Sequence, residues 1–357
     1  MQTHEVNDYI HRRLPNWSGT VAAEKLSGGY LNHVWRVGVF PNSVIVKWAP
    51  NHIATAPDIQ LDAQRIGFEA RALRLLESNE ILEDLQQTKV RAPRVLYFNA
   101  QDHVLVLEDF GPLCALDALL PLSTAFTQHV TRVGKFIGTL HQKTVSHTDL
   151  ARYFNNQPIQ LSRQELQYRS VASICQAMGL DDWQHLGQQA MILSQRLLQP
   201  GRTLTMGDLW PRSILIDQNT SYLIDWEFCH YGNPLQDVAH LAAHLWMLCQ
   251  VAEHRTEHAT APTRRLDYFL SAYRQALNRT FASLWDQETQ TLCAVHFGCE
   301  ILTRILGPFK HGYIYEGMDD SHPLIRQAAN IAVKHLRAPQ SSFRQTFNAL
   351  VQTMTVT

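Results

Sequence analysis

LTMGDLWPRSILIDQNTSYLIDWEFCHYGNPLQD, residues Leu204 to Asp237, is the stretch on which the reading of this chain turns. Two apolar, strand-like runs, Ile214 to Ile216 and Tyr222 to Ile224, enclose the polar turn residues Asp217 to Ser221, the pattern of a hairpin. Asp208 precedes the first strand in a loop shaped by Gly207 and Pro211, and Asp225 ends the second. Seventeen positions separate the two carboxylates, yet a short hairpin brings its ends together, so they are expected to converge on one site. A chemistry that asks for one carboxylate beside a hydroxyl and another on Mg²⁺ is phosphoryl transfer.

The rest of the composition narrows the partners. At 357 residues the chain can bury a sizeable core, as two domains or two lobes sharing a cleft. A formal net charge of -1 argues against nucleic acid or an anionic membrane gripped by bulk electrostatics. No run reaches the about eighteen uninterrupted apolar residues of a membrane span, and the N-terminal MQTHEVNDYIHRRL reads as an amphipathic helix without a signal core. The six cysteines form no CxxC pair and sit mostly in apolar runs, which points to a reduced, cytoplasmic protein without disulfides or structural zinc. The 18 histidines are scattered; His240 and His244, at i and i+4 on a helix, have metal-ligand spacing, and a half-buried helix face explains them as well.

Working outward toward the N-terminus, VAAEKLSGGYLNHVWRVGVFPNSVIVKWA alternates like strands, broken at Ser27, Gly28 and Gly29 and turned at Pro41 to Ser43. Lys47 is a lone cation in the run Val44 to Trp48, and a strand core excludes an ammonium unless a partner awaits it. The expected partner is Glu69 on a helix over Leu61 to Glu77; the alternative pairs Glu69 with Arg65 or Arg71 on a solvated face. Strands at Val95 to Phe98 and Val104 to Leu107 lead into Glu108, Asp109, Phe110 and Gly111, where the pattern turns helical. This predicts a β-rich N-terminal lobe, residues 1–108, hinged to a helical C-terminal lobe, residues 109–357. The latter has helices at Ser123 to Lys143, with His141 packed in the core, and at Asp237 to Val251, Arg264 to Leu284, Glu288 to Phe309 and Pro323 to Arg337. The Gln-rich region Asp149 to Gln199 shows no nameable chemistry, and the tail after Ala338 ends in a polar stretch that is expected to fray.

Together these parts resemble the kinase-like small-molecule phosphotransferases, the superfamily of aminoglycoside phosphotransferases, choline kinases and methylthioribose kinases. The match runs from about Leu26 to Trp246 and is strongest in Gly207-Asp208-Leu209-Trp210-Pro211 and Ile224-Asp225-Trp226-Glu227. The resemblance implies an α+β, protein-kinase-like two-lobe fold and transfer of the γ-phosphate of ATP, with Mg²⁺, to a hydroxyl of a sugar, amino alcohol or aminoglycoside-like acceptor. It places Gly28 and Gly29 over the nucleotide phosphates and Lys47 on those phosphates, oriented by Glu69. Backbone from Glu108 to Phe110 would meet the adenine edge. Asp208 would be the catalytic aspartate, and Asp225 with Ser213 would hold the metal. Two positions depart from the family pattern. Met206 stands where a histidine usually precedes the Gly-Asp, and Ser213 where an asparagine is usual.

Eleven residues between Asp225 and Asp237 are too few for a peptide-docking activation segment, which argues against a protein kinase. Trp210, Trp226 and Tyr231 are expected to wall an acceptor pocket suited to a cationic or sugar-like molecule; acidic Glu316, Asp319 and Asp320 are available farther along, although carboxylates in a polar loop are more often solvated than functional. Glu227 is open to two roles, a second metal or pairing with a nearby cation. Asp237 is expected to cap its helix and support the loop. The alternative to an enzyme is a nucleotide-binding module whose altered loop no longer turns over.

Overall fold

The computed structural model describes residues 1–14, 17, 22–27, 29–78, 80–121, 123–255 and 263–352. Five antiparallel strands form the N-terminal sheet, in the order Ala23–Lys25, His33–Val39, Asn42–Trp48, Val104–Glu108 and Val95–Asn99. The period-two alternation of Asn42–Trp48 decides what each face meets. Val44 and Val46 join Trp35, Val37, Val104 and Val106 in a core closed by Val6, Tyr9 and Ile10 of the helix Thr3–Arg13. Ile45 lies on the opposite face with Leu105 and Leu107, against Ile66, Ala70 and Leu73 of the helix Arg65–Ser78. Lys47, two residues on from Ile45, therefore points at the helix that carries Glu69.

The central hairpin forms as read. Ile214–Ile216 pairs antiparallel with Ser221–Leu223, one residue earlier than expected for the second strand, with Ile214 opposite Leu223. Val90–Arg91 extends this sheet on one side and Cys114–Ala115 on the other. A second pair, Thr203–Thr205 with His230–Gly232, brackets the hairpin and brings both ends of the quoted stretch together.

Below lies a mainly helical region. The helices Thr124–Thr144, Leu235–Arg255, Thr263–Leu277, Gln287–Ile305 and Pro323–Arg337 share one continuous apolar core. The helix expected to run to Leu284 stops at Leu277, where Asn278 takes a φ of 49° and a short helix restarts at Phe281. Past Ala338 the tail is helical as far as Val351, and its polar end, residues 353–357, lies outside the described residues. Pro339–Thr346 and Asn348–Val351 are helical, and Phe343, Phe347 and Leu350 are buried, so apolar residues spaced by about one turn outweigh the polar composition. Among the described residues no helix is long and apolar enough to cross a membrane. All six cysteines are free.

Candidate active site

A cavity of about 520 Å³ opens between the sheet and the helices, and Lys47, Asp208 and Asp225 all line it. Lys47 is buried, and its three ammonium donors are all used: two reach the Glu69 oxygens at 2.8 and 2.7 Å, and the third reaches Asp225 Oδ1 at 2.8 Å. Glu69 is itself fully buried, which removes the solvated-face alternative. Burial alone would lower the Lys47 pKa, but the Asp225 and Glu69 carboxylates raise it well above the ordinary lysine range.

Asp225 sits at a φ of 67°, a left-handed conformation rare for a residue with a Cβ, and its side chain is 43% exposed. Two residues on, Glu227 is buried against Asn32 Nδ2 and Arg65 Nε, both at 2.8 Å. The cation-pairing role is the one the geometry displays. Asn32 and Arg65 lie far from Glu227 in sequence, so nothing local announced the trio.

Asp208 is tied down from two helices. Arg163 Nη2 donates to Oδ1 at 3.0 Å, and His240 Nε2 lies 3.3 Å from the same oxygen. Burial pushes the Asp208 pKa up, but His240, Arg163 and Arg304 together hold it below the usual carboxylate range. Arg163 ends the helix Gln157–Arg163, which passes into a π-helical turn at Gln164–Tyr168. That turn carries Leu166 and Gln167 onto the cavity wall beside Arg163. Sequence reasoning found no chemistry in this region; an arginine among glutamines gives no periodic or motif signal.

The catalytic-loop backbone is held by Asp237, whose carboxylate accepts from Met206 N at 2.9 Å and Gly207 N at 2.7 Å and faces His141 Nε2 at 3.0 Å. Support for the loop is as expected, but the amides served belong to the loop itself and not to the helix that carries Asp237. Gly207 adopts a φ of 86°, and a Cβ there would lie 2.4 Å from the Phe228 carbonyl oxygen, so only glycine fits. Asp237→Asn is expected to cost about 1.5–3 kcal/mol of stability, the scale of one charge-assisted hydrogen bond, and to lower kcat. Urea unfolding and initial rates on the same preparation check this; an unchanged kcat would show that the loop does not depend on the tie.

Other expected residues sit elsewhere. The Ser213 hydroxyl is buried and occupied within its own loop, donating to Trp210 O at 2.8 Å and accepting from Trp210 N at 3.2 Å. Glu108 bonds Arg91 and Arg94, and Phe110 packs on Tyr222 with ring centroids 4.3 Å apart, so neither side chain lines the cavity. Gly29 lines it; Gly28 falls outside the described residues. Of the expected acceptor wall only Trp210 is present. Trp226 is fully buried, the Tyr231 hydroxyl bonds Thr144 O and Arg202 O, and exposed Glu316, Asp319 and Asp320 do not line the cavity.

His240 and His244 gather with Glu300 closely enough to suggest a metal site. The carboxylate is already filled by donors: His244 Nε2 at 3.0 Å, Arg304 Nε at 2.7 Å and the Gln167 amide. Burial pushes the His244 pKa down to about 3, so the ring is neutral and takes the Tyr313 hydroxyl at 3.0 Å on its other nitrogen. His244 and Glu300 form a hydrogen-bonded brace, and the His240 ring stands between it and Asp208, 3.4 Å from Glu300 Oε2 and 3.3 Å from Asp208 Oδ1.

With this geometry in place, comparison with known proteins is informative. The model of the phosphotransferase enzyme family matches residues 22–287, most of the chain. The chain belongs to that family. Within it, two curated relatives, each named 4-hydroxytryptamine kinase, are similar in sequence. That of Psilocybe cyanescens is 26% identical over 64% of this chain and 68% of its own length. That of Psilocybe cubensis is 25% identical over 69% and 74%. Among solved structures, choline kinase from Cryptosporidium parvum superposes with a TM-score of 0.55 at 14% identity, covering 98% of both chains. An amicoumacin kinase in complex with AMP-PNP, Ca²⁺ and Ami gives 0.53 at 14% identity, over 94% of each chain. This phosphotransferase therefore has the kinase-like fold and is a small-molecule kinase.

Proposed function

We propose that this kinase transfers the γ-phosphoryl group of ATP, with Mg²⁺, to a hydroxyl of a small molecule held against Asp208. The observation that carries the reading is the convergence of Lys47, Asp225 and Asp208 on one cavity although they are scattered along the chain. In a loose phosphoryl-transfer transition state the protein's task is to place charges. Lys47, oriented by Glu69, meets the nucleotide phosphates under the turn that holds Gly29, and backbone at Glu108 to Phe110 meets the base. Asp208 orients the acceptor hydroxyl and takes its proton. The residues fit Mg²⁺, because Asp225 offers a hard carboxylate oxygen at the cavity beside the phosphate-binding lysine. When bound, that ion supplies neutralisation of phosphate charge. Ser213 and Glu227 would first have to leave Trp210 and Arg65, so Asp225 bears the assignment. The relatives' printed names support a hydroxyl-bearing small molecule as acceptor.

ATP consumption by the full chain, with and without Mg²⁺, over a panel of hydroxyl compounds tests the reading; no ATP bound and none consumed would end it. Asp225→Ala is expected to weaken Mg²⁺-dependent nucleotide binding by about 10–100-fold, the range seen when a metal site loses a supporting group. Unchanged affinity by calorimetry would remove Asp225 from this role.

A further inference from the structure

We propose that the acceptor is a flat, largely apolar aromatic alcohol or phenol, and not a polycationic or sugar-like molecule. The inference rests on the kinase reading above and adds the class of acceptor. Its first ground is the apolar part of the cavity wall. Ile53 and Leu61 form a small apolar cluster against which Leu166 and Phe228 pack, and all four line the cavity together with Phe309. At the rim Ile59 is left 38% exposed, apolar surface that water covers poorly and a ring would cover well.

The second ground is charge. Among the described residues, each of the four carboxylates lining the cavity already has a cationic partner. Asp208 has Arg163 at 3.0 Å, Asp225 has Lys47 at 2.8 Å, Glu227 has Arg65 at 2.8 Å and Glu300 has Arg304 at 2.7 Å. An acceptor with several ammonium groups finds no uncompensated carboxylate and meets Arg163 and Arg304 as like charges. The acidic loop residues that would have welcomed it lie outside the cavity, and Asp320 is itself paired with Lys310 at 2.7 Å.

The third ground is shape. The Arg304 guanidinium lies 5.0 Å from the Trp210 ring and 5.3 Å from Phe309, and Arg163 lies 5.0 Å from Phe228. Alternating guanidinium planes and aromatic faces suit a planar guest. The chemistry agrees. The acceptor O–H bond breaks with its proton passing to Asp208, an O–P bond forms to the γ-phosphorus, and the bond from that phosphorus to the β-phosphate oxygen breaks to release ADP. A carboxylate held below its usual pKa is a weak base, and a phenolic O–H, with a pKa of about 10, yields its proton far more readily than an alkyl alcohol.

The test is steady-state kinetics of the full chain with ATP and Mg²⁺ on naphthol, phenol, ribose, choline and kanamycin, with ATP binding read separately by calorimetry. The expected result is a kcat/KM for naphthol at least about tenfold above those for ribose, choline and kanamycin. Leu166→Ser should raise the KM for naphthol by about tenfold while leaving the KM for ATP unchanged. Preference for kanamycin, choline or ribose overturns the acceptor class and leaves the kinase reading intact. ATP binding with no turnover of either arene also overturns the class, and absence of ATP binding overturns both readings.

Discussion

Asp208→Asn is expected to lower kcat by about 10²–10⁴-fold while nucleotide affinity stays within about twofold. The substitution keeps the shape of the side chain, so Arg163 and His240 still find an oxygen or an amide. It removes the charge that aligns the acceptor hydroxyl and receives its proton. The nucleotide end of the cavity is built from Lys47, Glu69 and Asp225, none of which bonds Asp208, and this separation is why binding should survive. Single-turnover rates with titrated ATP affinity measure both quantities. A variant retaining more than about a tenth of wild-type kcat would mean that the hydroxyl is activated by something other than this carboxylate. Because the Asp208 pKa is held below its ordinary value, the acid limb of the wild-type rate profile should fall below the usual carboxylate range.

Lys47→Met should be the most damaging substitution for the fold and for nucleotide binding together. It removes the ammonium shared by Glu69 and Asp225 and leaves a buried carboxylate without its cation, at a cost of about 3–5 kcal/mol. The loss depends on pH in a fixed direction. Burial already pushes the Glu69 pKa from 4.5 up to about 7 against the opposing pull of Lys47, and without the lysine it must rise further. A carboxyl whose folded pKa is raised gives its full contribution below the unfolded value and loses it as pH climbs through the folded one. The variant should therefore be closest to wild type near pH 5 and furthest above pH 8, by urea unfolding at each pH. Equal losses at both would mean that Glu69 finds another cation.

Which parts of this were legible beforehand follows from the range of each signal. The hairpin, the Lys47–Glu69 pair and the long helices announce themselves within a few residues, through alternation, through an ammonium in an apolar run, or through helical spacing. The resemblance carried by Gly207-Asp208 and Ile224-Asp225 supplied the family. Arg163, Asn32, Glu300 and the pairing of Arg65 with Glu227 were invisible because their meaning lies in partners 45 to 195 positions away or on separate helices. The acceptor wall was misread for a related reason. Trp226 and Tyr231 stand in the motif, but Trp226, in the loop after the hairpin, is buried with its indole N–H on Leu223 O, and half-buried Tyr231 spends its hydroxyl on Thr144 O and Arg202 O, while Leu166 and Phe309 reach the cavity from segments with no motif.

The helix Leu235–Arg255 carries Asp237, His240 and His244 at successive turns of one stripe. The first secures the Met206 and Gly207 amides, the second stands behind Asp208, and the third grips Glu300. A single inserted residue between positions 237 and 240 would turn the later two by about 100° away from their stations. This rod thus acts as a ruler for the reaction centre. The rod is buried on every side from Leu235 to Met247, so any change of length within those eight positions should be lethal to activity.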